Sequence, residues 1–126
     1  MAHFALVENN IVTNVIVISD DDCAGGKFPA SELAGQTFIA NVLKKSGVWL
    51  QTSYNNNFRN IFAGYGYEYH SDVDIFINPK PFASWVRKKE NQKFYWANPI
   101  LPPDNEKDWY WNEEQLCWVE VNNGDN

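Results

Sequence analysis

The sequence predicts an α+β fold that is mostly β: antiparallel hairpins, one amphipathic helix and a Trp-rich C-terminal hairpin region. Three observations lead there. Alternating apolar residues flank Asn9-Asn10 near the start, and a single stretch after Ser31 has helical spacing. Near the end, tryptophans bracket two segments, Trp85-Val86 to Tyr95-Trp96 and Trp109-Tyr110-Trp111 to Trp118-Val119. Each bracket sets aromatic and β-branched residues around a short charged middle, Arg87 to Lys93 and then Asn112 to Gln115, the pattern of a hairpin with cross-strand aromatic pairs.

The elements follow in order. Phe4 to Glu8 and Ile11 to Ser19 form a first hairpin, because Asn tolerates positive φ and the Asn pair can supply the tight turn. In the second of these strands Val12, Asn14, Ile16 and Ile18 share one face and Ile11, Thr13, Val15 and Val17 the other. Both faces are apolar near its end, which predicts a central strand. Asp20 to Pro29, with an acidic triplet and a Gly pair, reads as a loop holding one helical turn. Ser31 as N-cap and Glu32 in the first turn then open a helix whose apolar face is Leu33, Phe38, Val42 and Leu43 and which stops at Gly47. Gly35 weakens it by about 1 kcal/mol relative to Ala.

Val48 to Thr52 is the next strand and Tyr54 to Asn57 a turn. Gly64 to Tyr69 reads as an extended strand with Tyr65, Tyr67 and Tyr69 on one side and glycines on the other. His70 to Asp74 turns the chain into Ile75-Phe76-Ile77. The prolines of Asn78-Pro79-Lys80-Pro81 remove ladder donors and mark a boundary between a compact β-rich body with one helix, residues 1–81, and a Trp-rich double-hairpin extension, residues 82–126. Prolines between Pro99 and Pro103 separate the two Trp segments.

Composition excludes several function classes. At 126 residues the chain can bury a core without metal or disulfide, and 44% hydrophobic with 16% aromatic content argues against disorder. The net charge of −6 resides entirely at the C-terminal end, where Asp104, Glu106, Asp108, Glu113, Glu114, Glu120 and Asp125 face only Lys107. A neutral body with an acidic end argues against nucleic acid as partner, since phosphate binding needs clustered Lys and Arg, and Arg87-Lys88-Lys89 is too short to reverse this. No window approaches the ~18 apolar residues of a membrane span, and Met1 to Ser19 lacks the basic start of a signal peptide. Neither a membrane partner nor export is expected. Cys23 and Cys117 lie far apart with no CxxC or His-flanked spacing, so they read as ordinary reduced thiols.

Candidate chemistry is sparse. Asp20-Asp21-Asp22 and Asp72-x-Asp74 offer oxygens to a hard cation but lack the calcium-loop spacing, and read as solvated turns. His3 and His70 stand outside any nucleophile motif, and Gly64-x-Gly66 lacks the third glycine and the helix of a dinucleotide fingerprint. No catalytic residue, metal or cofactor is expected, and no enzymatic activity. The tyrosine strand reads as core. What remains is a set of rigid amphipathic rings, Trp85, Trp96, Trp109, Tyr110, Trp111 and Trp118, as a partner interface, with Glu113 and Glu114 as rim charges; such rings suit a protein partner or a sugar.

Several blocks taken together resemble a known family. They are Met1-Ala2-His3-Phe4-Ala5 with Val7 to Ile18, Trp49-Leu50-Gln51-Thr52-Ser53-Tyr54-Asn55, Ala63-Gly64-Tyr65-Gly66-Tyr67, Pro79-Lys80-Pro81-Phe82-Ala83-Ser84-Trp85-Val86, Tyr110-Trp111-Asn112-Glu113-Glu114 and Trp118-Val119-Glu120. This set, covering most of the chain, is similar to small proteins encoded by tailed bacteriophages, especially those of marine bacteria and cyanobacteria. Members are usually described as virion structural proteins or left without a role. The basic stretch Arg87 to Lys93 departs from the acidic turn expected of the family at that tip. The resemblance implies a protein made in the host cytoplasm and incorporated in the virion, with coat, portal, neck or tail subunits as partners and self-association into a homo-oligomer compatible with it. Capsid decoration is the leading expectation. A tail or neck position, or a glycan-binding host-recognition module of a tail fibre, is the alternative.

Overall fold

The computed structural model of the protein describes residues 1–103 and 105–121. Strands hold 38% of the chain and helix 13%, and the pairings between named strands are antiparallel, so the fold is α+β and mostly β. The chain divides into two units, Met1–Pro79 and a second beginning at Lys80.

In the first unit, strands β1 (Ala2–Glu8) and β2 (Ile11–Ile18) form the expected hairpin. Asn9 and Asn10 turn it with φ of 53° and 64°, the backbone that matches the twist of the flanking strands. Strand β3 (Val48–Thr52) adds to the far side of β1, and β4 (Glu68–His70) and β5 (Ile75–Ile77) complete a five-stranded sheet in the order β3-β1-β2-β4-β5. The central strand is therefore β2, as its apolar faces predict, and β1 is also internal. Both faces of β1 are covered. Ala2 and Phe4 pack with Ile18, Cys23, Ile39 and Trp49 on one side, and Ala5 packs with Val12, Ala63 and Phe76 on the other.

Asp20–Cys23 form the expected single turn of helix, opened by Ser19, whose hydroxyl accepts from the Asp21 N–H at 3.2 Å. Helix α1 (Ala30–Asn41) follows. Its inward face differs from the expected one: Ser31, Gly35 and Ile39 are buried, one helical turn apart, whereas Leu33 is 72% and Val42 61% exposed. Gly35 decides this, because it lies directly on the Phe4 ring; a Cβ there would sit 2.1 Å from Phe4 Cζ. The helix rolls its smallest residues onto the sheet, and Leu33, two positions from Ser31, turns to solvent. Ser31 is not the N-cap, which is Pro29; its hydroxyl instead donates to Gln51 Oε1 at 2.6 Å. The helix also ends sooner than Gly47, with Lys44 at φ 58° and the Lys45 N–H on the Ile39 carbonyl.

Gly64 to Tyr67 is not strand. The Tyr67 N–H donates to the Gly64 carbonyl at 3.1 Å, and Gly66 adopts φ 82°. This is a tight turn, where an alternating Gly-Tyr pattern arises without a pleated segment because only glycine takes that φ at no steric cost. Pairing with β2 survives: Gly66 donates to the Val12 carbonyl and Val12 to the Tyr67 carbonyl, both at 2.8 Å.

Both free edges of the sheet are closed by side chains or by a single extra bridge. On β3, Gln36 Nε2 donates to the Trp49 carbonyl at 2.7 Å, Glu32 Oε2 accepts from the Gln51 N–H at 2.8 Å, and Arg59 Nη1 donates to the Gln51 carbonyl at 3.0 Å. On β5, the Phe76 N–H donates to the Arg59 carbonyl at 3.0 Å and the Asn60 amide donates to the Phe76 carbonyl at 2.9 Å. Closed edges do not template pairing with another chain.

The second unit holds two separate two-stranded sheets, β6 (Val86–Glu90) with β7 (Lys93–Ala97) and β8 (Trp109–Asn112) with β9 (Cys117–Glu120). In the first, only Asn91 and Gln92 turn the chain, with φ of 51° and 67°. Arg87 to Glu90 is strand, not a charged loop, and Trp85 precedes it in a turn closed by its own N–H on the Phe82 carbonyl.

Candidate functional site

The register of the two C-terminal hairpins determines what each ring faces. In β6–β7, Arg87 lies opposite Trp96, Lys88 opposite Tyr95 and Lys89 opposite Phe94. The expected aromatic pairs are cation–ring pairs here. Arg87 Cζ and Lys89 Nζ sit 5.4 and 5.2 Å from the Phe94 centroid, and Lys80 Nζ sits 5.4 Å from that of Trp96, distances at which the ring face attracts a cation. In β8–β9, Trp111 opposes Trp118 with centroids 5.4 Å apart at 67°, a true cross-strand aromatic pair.

The six proposed interface residues divide by role. Trp111 is only 9% exposed and donates its indole N–H to Glu113 Oε1 at 2.7 Å. Trp118 donates to the Ile100 carbonyl at 2.8 Å, and Trp109 to Asn105 Oδ1 at 3.1 Å. Trp85 packs on Phe82 at 5.4 Å, and its indole nitrogen is buried without a hydrogen-bond partner among the described residues. Trp96 lies under Lys80. Tyr110 alone among the six is mostly open, 51% exposed, on the face of β8 that Trp111 turns away from. The tryptophans frame the unit, and its exposed large apolar side chains are Tyr110 with Val86, Tyr95, Ile100, Leu101, Leu116 and Val121. Val86 and Tyr95 are not among the expected interface residues; they share one face of β6–β7 by simple alternation.

Glu113 is a bracket within this unit and not a free rim charge. Besides Trp111, its carboxylate accepts from the Ser84 N–H at 3.0 Å and the Ser84 hydroxyl at 2.7 Å. The bonds from Trp111 and Ser84 favour the charged form and hold its pKa below the ordinary value.

In the first unit one arginine gathers two carboxylates. The Arg59 side chain, 9% exposed, pairs with Glu32 through both terminal nitrogens and donates from Nε to Asp74 Oδ1 at 2.9 Å. Tyr69 donates its hydroxyl to the same Asp74 oxygen at 2.5 Å, and burial with this bond pushes its pKa up to about 12. Asp74 of the Asp72-x-Asp74 pair is thus held by an arginine. In the acidic triplet, Asp20 pairs with the Met1 amino group at 2.6 Å. His70 Nε2 lies 2.8 Å from Glu68 Oε1 beside a shallow cleft of ≈ 380 Å³ lined also by Asn10, Ile11 and Asp72. His3 stacks on Tyr54, centroids 5.4 Å apart, with Phe62 edge-on at 5.3 Å; burial, with the nearby N-terminal charge, lowers its pKa. Among the described residues no helix is long and apolar enough to cross a membrane.

A scan against protein-family models, a search of curated proteins and a search of solved structures each return no match.

Proposed function

We propose that this protein is a non-enzymatic structural component of a tailed-phage particle, decorating the capsid, and that the unit beginning at Lys80 is its attachment module. One observation carries the reading. A small unit of two hairpins spends its tryptophans on its own frame and leaves Tyr110, Tyr95, Val86, Ile100, Leu101 and Leu116 open to solvent. Two-stranded sheets have little core to protect, so rings and branched chains left open on their strands, turns and connecting loop are suited to burial against another protein, where aromatic anchors dominate the binding energy. The resemblance of the chain to small phage proteins supports the setting. Capsid decoration is preferred to a fibre because the chain has neither coiled-coil heptads nor a fibrous repeat.

Coexpression with coat protein tests the reading. Tyr110→Ala and Tyr95→Ala together should cut copies per purified particle at least about tenfold, as for a lost hot spot worth ~1.4 kcal/mol or more, with the melting temperature of the free protein unchanged. Full incorporation of that variant would overturn the attachment role.

A further inference from the structure

The first unit carries a second feature, independent of the hairpins, whose chemistry is that of a sugar subsite. Beside the turn after β3 lies a cavity of ≈ 200 Å³, lined by Tyr54, Asn55, Asn57, Phe58, Thr52 and His3 among others. Its aromatic lining residues, His3, Tyr54 and Phe58, belong to two stacks. In one, His3 backs Tyr54 at 24° between ring planes, and Phe62 meets both edge-on, at 5.3 and 5.4 Å. In the other, Phe58 stacks on Phe28 with centroids 4.0 Å apart, and the Arg59 guanidinium lies over Phe28 at 5.1 Å. Tyr54 is nonetheless 67% exposed. It is an immobilised ring presented to solvent.

The turn holding the polar groups is also fixed. The Asn56 N–H donates to the Ser53 carbonyl at 3.1 Å, the Asn57 N–H to the Ser53 hydroxyl at 2.9 Å, and the Phe62 N–H to Asn56 Oδ1 at 2.7 Å. The side-chain amides of Asn55 and Asn57, both exposed at the cavity, take no part in these bonds. Each offers a donor and an acceptor together, the combination that reads vicinal hydroxyls. Of the charged groups nearby, the Met1 amino group is paired with Asp20 and the Arg59 guanidinium with Glu32 and Asp74, and burial holds the His3 pKa below its ordinary value.

We infer that Tyr54, Asn55 and Asn57 form a binding subsite for one uncharged pyranose ring. The axial C–H bonds of a pyranose carry partial positive charge and pack on the electron-rich face of a ring such as Tyr54, while the amides address the hydroxyls at its rim. The volume falls below the roughly 300–1,000 Å³ of a cleft that encloses a drug-sized ligand, which suits a single sugar ring. Because platform and turn are ordered already, binding loses little further conformational entropy.

Saturation-transfer NMR with methyl glucoside, galactoside, mannoside and N-acetylglucosamine at millimolar concentration tests this on the full chain. At least one should receive saturation on the protons of one ring face and shift the amide signals of residues 53–57. Tyr54→Ala should weaken binding about tenfold, Tyr54→Phe should retain it, and Asn57→Ala should weaken it with an unchanged melting temperature. Tyr110→Ala should have no effect. Absence of transfer to all four sugars overturns the inference, as does binding that survives Tyr54→Ala and Asn57→Ala or is lost in Tyr110→Ala.

Discussion

The Arg59 guanidinium donates to the Gln51 carbonyl at 3.0 Å while the Arg59 carbonyl accepts from the Phe76 N–H, also at 3.0 Å. Gln51 lies on β3 and Phe76 on β5, so one residue satisfies an open backbone group on each of the two outer strands. Arg59→Lys removes the fork that serves Gln51, Glu32 and Asp74 at once. It should cost about 1–3 kcal/mol, the desolvation penalty of an unpaired buried carbonyl, read as a lower urea midpoint at unchanged slope. The reopened β3 edge should also give concentration-dependent light scattering. A midpoint equal to the parent's would mean that the edge is closed without the guanidinium.

Gly35→Ala sets two magnitudes against each other. Helix propensity favours Ala by about 1 kcal/mol, but the new methyl would meet the fully buried Phe4 ring at 2.1 Å, and overpacking of this kind costs about 1–3 kcal/mol. Net destabilisation is expected, and Phe4→Leu in the same chain should relieve part of it. Thermal melts of the parent and the two variants provide the check; a stabilised Gly35→Ala would mean that α1 can lift off the sheet freely.

Acid should loosen the second unit through Glu113. Its pKa is lowered in the fold by the Trp111 and Ser84 bonds, so its contribution to stability is present above the ordinary value of 4.5 and is lost as pH falls through the folded value. Tryptophan fluorescence should change across that acid range in the parent. In Glu113→Gln, whose amide does not titrate, this transition should be missing and the unit less stable at pH 7. An identical acid transition in the two proteins would remove Glu113 from its bracketing role.

How much of this was legible in the sequence depends on the range of the interaction. The Asn9-Asn10 turn, the β3 strand and the β4–β5 hairpin are local, and alternation or turn chemistry reveals them. The Gly64–Tyr69 segment misled because a period of two can come from a glycine turn as readily as from a strand. The face of α1 was misread because burial there follows the smallest residues, Ser31 and Gly35, which meet Phe4 on a distant strand. Charges on β6 look like a loop only if a strand must have a buried apolar face, and a two-stranded sheet need not. Arg59 gave no signal at all, since Glu32, Gln51 and Asp74 come from three separate segments. The same holds for exposure in the second unit: the tryptophans are conspicuous, yet their N–H groups are mostly spent inside the unit, while Tyr95 and Val86 are left outside.

The most direct measurement is a density map of the intact virion. The protein should appear on the capsid in regular copies, with Tyr95 and Tyr110 buried against a coat subunit. Its absence from finished particles, or attachment through the Met1–Pro79 unit with both tyrosines facing solvent, would contradict the proposed role of the hairpin unit.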